Sequence, residues 1–159
     1  MKEIKLTEIK DIIKSNSTIA VGGFTINRKP IAIIEKIAKS SVKNLRLFSL
    51  ASSIETDLLI RAGKLSKISV AYTGYEGLGI SNTVRKAVEK GGLQFEDLTE
   101  ILYHLRLQAG AMGVEFIPTK SILNSDIFKY NNSCKKVKCP FTKKILCGVK
   151  AIHPDYCII

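Results

Sequence analysis

The chain has 159 residues, of which 45% are hydrophobic and 25% are charged. A chain of this length forms about one domain, and its composition excludes the disordered and collagen-like classes of protein. The 25 basic and 14 acidic residues give a formal net charge of +11 at pH 7. No apolar run approaches the roughly 20 residues that cross a bilayer, and residues 1–15 lack the apolar stretch of a secretory signal. We therefore expect a single domain over residues 1–159, in a cytoplasmic protein without a membrane segment.

Helices and strands alternate in the hydrophobic pattern of the first half of the chain. Leucine and isoleucine at helical spacing predict an opening helix over residues 5–15. The next predicted elements are a strand over 18–24 that runs into a glycine turn, a helix over 29–39, a strand over 45–50, a helix over 54–62 that Gly63 ends, and a strand over 67–72.

The second half of the chain repeats this alternation. The predicted elements are a glycine loop over 74–79, a helix over 81–90, a strand over 93–98, a helix over 99–112 that Thr99 caps, an apolar segment over 114–118, and strands over 145–149 and 156–159. Residues 119–143 are predicted to form an irregular, exposed connection. Strands that alternate with helices of this length indicate βαβ units. The fold class is therefore predicted to be α/β, with an open, mostly parallel sheet and flanking helices.

The surplus of positive charge is concentrated in residues 120–150, which contain eight lysines and one acid, Asp126. This stretch has no arginine to bind base edges and few aromatic residues to stack on bases, so nucleic acid is not expected as a partner. A solvated surface, an anionic small molecule and an acidic partner subunit each fit the charge.

The four cysteines all lie near the end of the chain, at Cys134, Cys139, Cys147 and Cys157. Their spacing does not form the paired Cys-x-x-Cys of a structural zinc site, and the two histidines are isolated from each other. We therefore expect free thiols and no metal centre.

Two glycine-containing loops follow predicted strands and are candidates for ligand binding. The first contains Gly22, Gly23 and Phe24 and continues to Arg28, just before a predicted helix. Backbone N–H groups, a helix N-terminus and a basic side chain together favour a negatively charged ligand. A plain tight turn fits the same residues.

The second loop contains Gly74 and Glu76, directly after the predicted strand over 67–72. Ligands of open α/β sheets bind beyond the carboxyl ends of the strands, so the two loops can flank one crevice. Glu76 can serve there as an acid, as a base or as a ligand-positioning group. The alternative is a solvated loop glutamate.

A third candidate is Glu100, at the start of the predicted helix over 99–112. A carboxylate in a first helical turn stabilises the helix by roughly 0.3–1 kcal/mol through the helix dipole. His104 follows one turn later on the same helix face, close enough to interact. Spacing alone does not separate a catalytic Glu100 from this structural role.

Nine short motifs in a fixed order cover nearly the whole chain. They are Gly22-Gly-Phe-Thr-Ile-Asn-Arg-Lys-Pro, Asp57-Leu-Leu-Ile-Arg-Ala-Gly-Lys-Leu, Tyr75-Glu-Gly-Leu-Gly, Arg85-Lys-Ala-Val-Glu-Lys-Gly, Ala109-Gly-Ala-Met-Gly-Val, Phe116-Ile-Pro-Thr, Asn124-Ser-Asp-Ile, Cys139-Pro-Phe and Ala151-Ile-His-Pro-Asp. Each motif is short, but the ordered set resembles the alpha chain of the coenzyme A transferases typified by glutaconate CoA-transferase.

The resemblance implies a CoA-transferase-like domain that pairs with a beta subunit in a hetero-oligomer, with the active site between the subunits. In such enzymes the acyl-CoA is attacked by a glutamate of the beta subunit, and an acyl anhydride and then a glutamyl-CoA thioester form. The loop of Gly22, Gly23 and Phe24 would shape the acyl pocket and supply donors to an oxyanion. No metal or redox cofactor is implied, because the CoA thioester is a substrate. This chain alone is expected to be inactive.

The resemblance also implies that Glu100 lies at the acyl pocket. In related hydrolases that open rings of CoA-linked cyclic diketones, the matching glutamate acts in catalysis. In other transferases, a polar group at this position helps to hold the thioester oxygen. Arg28 is the expected partner of a substrate carboxylate.

Alpha subunits of the family continue beyond the strand with which this chain ends, so we expect that a C-terminal part is missing. The implied function is that of an alpha subunit, or its N-terminal portion, which moves CoA between an acyl-CoA and a small carboxylic or dicarboxylic acid. Two alternatives stay open. One is a subunit of a CoA-thioester ring-opening hydrolase that uses Glu100, and the other is a truncated binding remnant without turnover.

Overall fold

The computed structural model describes residues 4–159, which divide into two compact units. The first unit consists of residues 4–96 and 154–159, and the second consists of residues 97–153. The single domain expected from the sequence stays a prediction. No helix within residues 4–159 is both long enough and apolar enough to cross a membrane.

A five-stranded sheet forms the centre of the first unit. Its strands are β1 (Thr18–Val21), β2 (Leu45–Ser52), β3 (Leu65–Thr73), β4 (Gln94–Asp97) and β8 (Tyr156–Ile158), in the order β4-β3-β2-β1-β8. The pairs β1–β2, β2–β3 and β1–β8 are all parallel. The prediction of an α/β fold with an open, mostly parallel sheet is thereby confirmed.

Short helices flank this sheet. They are α1 (Ile9–Ile12), α2 (Ile31–Ala38), α3 (Ile54–Arg61) and α4 (Asn82–Glu89), and two 3-10 turns cover Leu6–Glu8 and Glu76–Leu78. The apolar faces of strands and helices form one core, with Ile19, Ile34, Leu47, Leu59 and Ile68 at 0–1% exposure. The sequence indicated these strands by their buried apolar residues, although Arg46 interrupts β2 and Lys67 interrupts β3.

The predicted opening helix over residues 5–15 is wrong beyond residue 12. Ile13 has extended backbone angles of φ −71° and ψ 129°, and Asn16 is left-handed at φ 65°. A helix this short is marginal by itself, so the packing of its ends decides its length. Here Ile13 is 5% exposed and belongs to the core, which requires the chain to turn toward β1.

The second unit contains α5 (Glu100–Met112) and a three-stranded antiparallel sheet. The strands are β5 (Phe116–Thr119), β6 (Cys134–Lys138) and β7 (Ile145–Lys150), in the order β5-β7-β6. Thr99 caps α5 as predicted, because its hydroxyl accepts a hydrogen bond from the Leu102 N–H at 3.2 Å. Gly113, at φ 68°, ends the helix in the left-handed conformation.

The predicted irregular connection over residues 119–143 is wrong for two segments. A short helix, α6 (Asp126–Tyr130), and strand β6 lie within it. In β6 the buried Cys134 and half-buried Val137 provide the packing, while Lys135, Lys136 and Lys138 are exposed. A strand needs apolar contact on only part of its surface, so the high lysine content of this stretch did not prevent regular structure.

Candidate functional site

The first glycine loop leaves the carboxyl end of β1 and turns back within a few residues. The N–H of Gly22 donates to the carbonyl of Ile158 at 2.9 Å, which extends the pairing of β1 with β8. Phe24 and Asn27 then exchange two backbone hydrogen bonds, of 3.0 and 2.8 Å. Two of the three N–H groups in the Gly22–Phe24 segment are therefore already occupied.

The third of these groups, the N–H of Gly23, donates no hydrogen bond to any residue within 4–159. Gly23 has φ 82°, and a Cβ atom at this position would lie 2.6 Å from the carbonyl oxygen of Arg28. Glycine is required here both by the left-handed conformation and by the close approach of the backbone. The Gly22–Phe24 segment thus presents one unpaired backbone donor at the end of a parallel strand.

The second glycine loop follows β3 and is also a compact turn. Gly74 is buried, and its N–H donates to the carbonyl of Ser52 at 3.0 Å. The N–H of Tyr75 donates to the carbonyl of Gly79 at 2.9 Å, which closes the loop. Glu76 lies inside this turn at φ 50°, an uncommon conformation for a residue other than glycine.

The two glycine loops are joined by side-chain hydrogen bonds. The hydroxyl of Thr25 donates to Oε1 of Glu76, and Nδ2 of Asn27 lies 3.3 Å from the same oxygen. Thr25, Arg28 and Glu76 all have positive φ, and Thr25 is 3% exposed. Residues that hold such conformations are concentrated at functional sites, where the surrounding structure enforces them. The first and second candidate loops therefore form one site.

A buried ion pair lies next to the first loop. Nζ of Lys29 is 2.7 Å from Oε1 of Glu55, and both side chains have 0% exposure. Nζ of Lys29 also donates to the carbonyl of Ala51 at 2.8 Å and lies 3.4 Å from the carbonyl of Gly23. The other Glu55 oxygen accepts the Ser53 N–H at 3.1 Å. The pair therefore ties the glycine loop to the carboxyl end of β2.

Sequence reasoning missed this pair. Lysine and glutamate are usually exposed, and the two residues are distant in the sequence, so no local pattern indicates their contact. Glu55 looks like an ordinary acid in the first turn of α3. Lys29 lies just before Pro30, the N-cap residue of α2, and this position gives no signal of burial.

A second buried carboxylate, Asp57, positions the other loop. Its Oδ2 accepts the phenol of Tyr75 at 2.6 Å, and its Oδ1 accepts the hydroxyl of Ser81, which in turn caps α4 through the Val84 N–H. Burial and the hydrogen bond to Asp57 raise the pKa of Tyr75 above its ordinary value of 10.0. The phenol is thereby kept protonated and bonded.

Arg28 and Phe24 are both exposed on the first loop, and Phe24 retains 46% of its surface. The guanidinium of Arg28 has no hydrogen-bond or ion-pair partner in the described part of the chain. A free backbone donor, a free guanidinium and an exposed aromatic ring suit a ligand that has an anionic oxygen and an apolar part.

Glu100 belongs to the second unit, where it is the first residue of α5 and is exposed. Nδ1 of His104 is 2.8 Å from the backbone carbonyl of Glu100. The two residues therefore interact as expected, but His104 contacts the backbone carbonyl of Glu100 and not its carboxylate. The other six candidate residues all lie in the first unit.

Comparisons with known proteins agree with one another. A sequence model described as coenzyme A transferase matches residues 6–129. The alpha chain of 3-oxoadipate CoA-transferase from Pseudomonas knackmussii is 30% identical over 154 residues, which are 95% of this chain. The corresponding chain of glutaconate CoA-transferase from Acidaminococcus fermentans is 30% identical over 128 residues, and a cholesterol ring-cleaving hydrolase subunit of Rhodococcus jostii is 28% identical over 133 residues.

The fold matches solved structures as well. The crystal structure of glutaconate coenzyme A-transferase from Acidaminococcus fermentans superposes with a TM-score of 0.92 over 98% of this chain, at 25% identity. The chain covers 54% of the 3-oxoadipate CoA-transferase relative and 40% of the glutaconate CoA-transferase relative, so it spans about half the length of these proteins. Because the family match extends over most of its residues, the chain belongs to the coenzyme A transferase family.

Proposed function

We propose that this chain is an alpha subunit, or the N-terminal portion of one, of a heteromeric CoA-transferase. In this proposal it works with a beta subunit to move CoA between an acyl-CoA and a small carboxylic or dicarboxylic acid. The relatives named as CoA-transferase subunits of this type support the reaction class.

The unpaired N–H of Gly23 is the observation that carries the proposal. Acyl transfer passes through tetrahedral species in which a carbonyl oxygen becomes negatively charged, and a backbone donor held in place stabilises that charge. Gly22 and Phe24 have already used their N–H groups within the chain, so Gly23 is the donor available in the Gly22–Phe24 segment. Arg28 would bind a carboxylate of the acid substrate through its free guanidinium.

The chemical steps of the proposal require a carboxylate from the beta subunit. A glutamate carboxylate attacks the thioester carbonyl, a C–O bond forms, and the C–S bond breaks to release CoA as a thiolate. The thiolate then attacks the glutamyl carbonyl of the anhydride, which yields glutamyl-CoA and the free first acid. The same two steps in reverse order, with the second acid, restore the glutamate. Gly23 would donate to the oxyanion at each tetrahedral stage.

Exposed apolar side chains support a partner at this edge of the sheet. Phe24 and Ile26 follow β1, Ile54 follows β2, and Leu78 and Ile80 follow β3, with exposures of 46, 53, 41, 89 and 70%. These residues all come after the carboxyl ends of parallel strands, on the side where the two glycine loops lie. A concentration of exposed apolar residues is typical of a protein interface. We propose that the beta subunit covers it.

Glu76 and Glu100 have different places in the proposal. Glu76 would hold the two loops in register through Thr25, and its free oxygen would face the ligand. Glu100 would act at the acyl pocket. If the chain instead belongs to a ring-opening hydrolase, Glu100 would be the base, and the 28% identity to a cholesterol ring-cleaving hydrolase subunit supports this alternative.

The test is co-expression of the full chain with the product of the reading frame beside its own. The purified complex is incubated with short acyl-CoAs and a panel of carboxylic acids, and new acyl-CoAs are identified by mass spectrometry. We expect transfer by the complex and none by the chain alone. For Gly23→Ala we expect a loss of about 100-fold or more in kcat, because the new Cβ atom meets the carbonyl of Arg28 and displaces the N–H group that alanine still carries. Gly63→Ala, at an open left-handed position, is the matched control and should retain transfer.

Three outcomes would contradict the proposal. A stable complex that releases free CoA without forming a new acyl-CoA would favour the hydrolase, above all if Glu100→Gln abolished that release. A complex without turnover would favour a binding remnant. Transfer at an undiminished rate in Gly23→Ala would show that the reaction does not need the loop conformation in which the Gly23 N–H is held.

A further inference from the structure

The small antiparallel sheet of the second unit has two different faces. In antiparallel pairs, residues directly opposite each other point to the same side, and successive residues alternate. One face contains Cys134, Cys147 and Val149, which are 7, 0 and 0% exposed, and α5 contacts β5 and β7. This face is the core of the second unit.

The opposite face, which we call the open face, consists of Phe116, Pro118, Lys135, Val137, Leu146 and Lys150. The register places Phe116 opposite Lys150, and Val137 opposite Leu146. Phe116 is 46% exposed and Pro118 is exposed, while Val137 and Leu146 are half-buried. Within the part of the chain that the structure describes, nothing covers these apolar side chains completely.

Gly148 lies at the centre of the open face, where the absence of a side chain lets apolar residues of the two neighbouring strands approach each other. It lies opposite Pro118 on one side and Lys135 on the other. A Cβ atom at Gly148 would lie 2.9 Å from Cγ1 of Val137 and 3.2 Å from Cδ2 of Phe116. The two side chains therefore converge over the glycine, and β5, β7 and β6 present one connected apolar strip.

The charged residues on the open face, and those in the connection between β6 and β7, all have one sign. Lys135 and Lys150 lie on the open face and are exposed, and Lys143 and Lys144 are exposed in the connection between β6 and β7. A second copy of the chain on this face would place like charges against each other in a symmetric interface, which is unfavourable. An occupant with apolar residues at its centre and carboxylates at its ends would match the surface.

From this complementarity we propose that the open face is a docking surface for an acidic segment of another protein, one that presents apolar residues between carboxylates. The apolar strip supplies the buried contact area, and the lysines orient the segment and increase its rate of association. The proposal concerns the second unit and does not depend on the CoA-transferase reaction.

The test uses the full chain labelled with nitrogen-15 and a synthetic capped peptide that has three central apolar residues and two glutamates on each side. We expect amide shifts in β5, β6 and β7 at peptide concentrations of about 1 mM or below, which is the range of a weak specific contact. A peptide with lysines in place of the glutamates is the matched control and should cause no shift there.

Two sets of variants locate the binding. The double variant Lys135→Glu and Lys150→Glu should weaken peptide binding by about tenfold, because attraction is converted to repulsion. Phe116→Ser should weaken it while leaving charge unchanged. The control, Lys86→Glu with Lys90→Glu, alters the net charge equally at positions of the first unit and should leave binding unchanged.

The proposal would be overturned by the absence of shifts, by shifts outside the small sheet, or by equal binding of the lysine peptide. Equal weakening by both double variants would show that only net charge is sensed, and would also overturn it. A duplex DNA oligonucleotide is titrated in parallel. Tighter binding of the DNA at the same amides would assign the face to nucleic acid instead.

Discussion

The ammonium of Lys29 lies 2.7 Å from the carboxylate of Glu55, and neither side chain is exposed to solvent. Lys29 also contacts the carbonyl oxygens of Ala51 and Gly23, so one buried cation organises the ends of two neighbouring elements. The arrangement differs from an ordinary surface ion pair, because each charge depends on the other for its burial.

Removal of Lys29 should therefore be strongly destabilising. We expect Lys29→Met to lower the free energy of unfolding by about 3–5 kcal/mol, because Glu55 is left buried without a counter-charge. Lys39→Met is the control: its Nζ is 3.8 Å from Glu35 and both side chains are exposed, so the change should stay within about 0.5 kcal/mol. Urea unfolding measures both. Adding Glu55→Met to Lys29→Met should recover part of the lost stability. Equal effects of Lys29→Met and Lys39→Met would contradict the prediction.

A comparison of Gly23→Ala with Gly63→Ala separates two causes of lost stability, the left-handed backbone and the steric clash of the new Cβ atom. Both glycines are left-handed, at φ 82° and 66°, but only at Gly23 would the new Cβ meet backbone atoms, whereas Gly63 has open space around it. We expect Gly63→Ala to cost about 1–2 kcal/mol and Gly23→Ala to exceed it by about 1–3 kcal/mol. Thermal unfolding of the two variants side by side provides the measurement. A difference close to zero would mean that the first loop yields more easily than the contact distances indicate.

The hydrogen bond between Tyr75 and Asp57 should be visible in an alkaline titration. The folded chain holds the phenol proton more tightly than the unfolded chain, so this stabilisation is present below pH 10.0 and is lost as the pH rises above it. Asp57→Ala removes the acceptor and should lower the pKa of Tyr75. The absorbance of phenolate, compared with that of a Tyr75→Phe variant to isolate this residue, reports the shift. An unchanged titration in Asp57→Ala would contradict the assignment.

The junction of the two glycine loops should depend on Thr25 more than on Asn27. Thr25→Val keeps the shape of the side chain but removes the donor to Glu76, and we expect a loss of about 1.5–3 kcal/mol, as for a hydrogen bond to a charged group. Asn27→Ala removes a longer contact of 3.3 Å and should have a smaller effect. Hydrogen exchange at residues 75–79 is the more specific readout, with faster exchange in Thr25→Val. A larger effect of Asn27→Ala would contradict the prediction that the hydrogen bond from Thr25 contributes more stability than the contact of Asn27.

The sequence was sufficient to predict the central strands and the order in which they follow one another along the chain. Ile19 belongs to a short apolar run, and Leu47 and Ile68 lie among apolar residues that Arg46, Lys67 and Ser69 interrupt. It failed where packing rather than local pattern decides the structure. The opening helix ends early because Ile13 joins the core, and β6 forms because Cys134 is buried while its neighbouring lysines are exposed.

The sequence predicted which loops form the candidate site, but it did not predict the contacts that hold these loops in place. The glycines and Glu76 were recognisable because turns after buried strands require particular residues. The hydrogen bond from Thr25 to Glu76 and the pairing of Lys29 with Glu55 join residues that are far apart in sequence, so no spacing rule reveals them. Which of the three N–H groups stays available also depends on tertiary partners, the carbonyls of Ile158 and Asn27.

The position of β8 beside β1 has a consequence for synthesis of the protein. Oδ2 of Asp155 accepts the Thr18 N–H at a sequence separation of 137, and Ile19 is paired with Tyr156. While the ribosome is still adding residues 97–153, β1 is the outermost strand of a growing sheet, and its hydrogen-bonding edge is unprotected. Such an edge can pair with another nascent chain. We therefore expect aggregation to begin between nascent chains on densely loaded polysomes. A slower rate of translation initiation should increase the soluble yield.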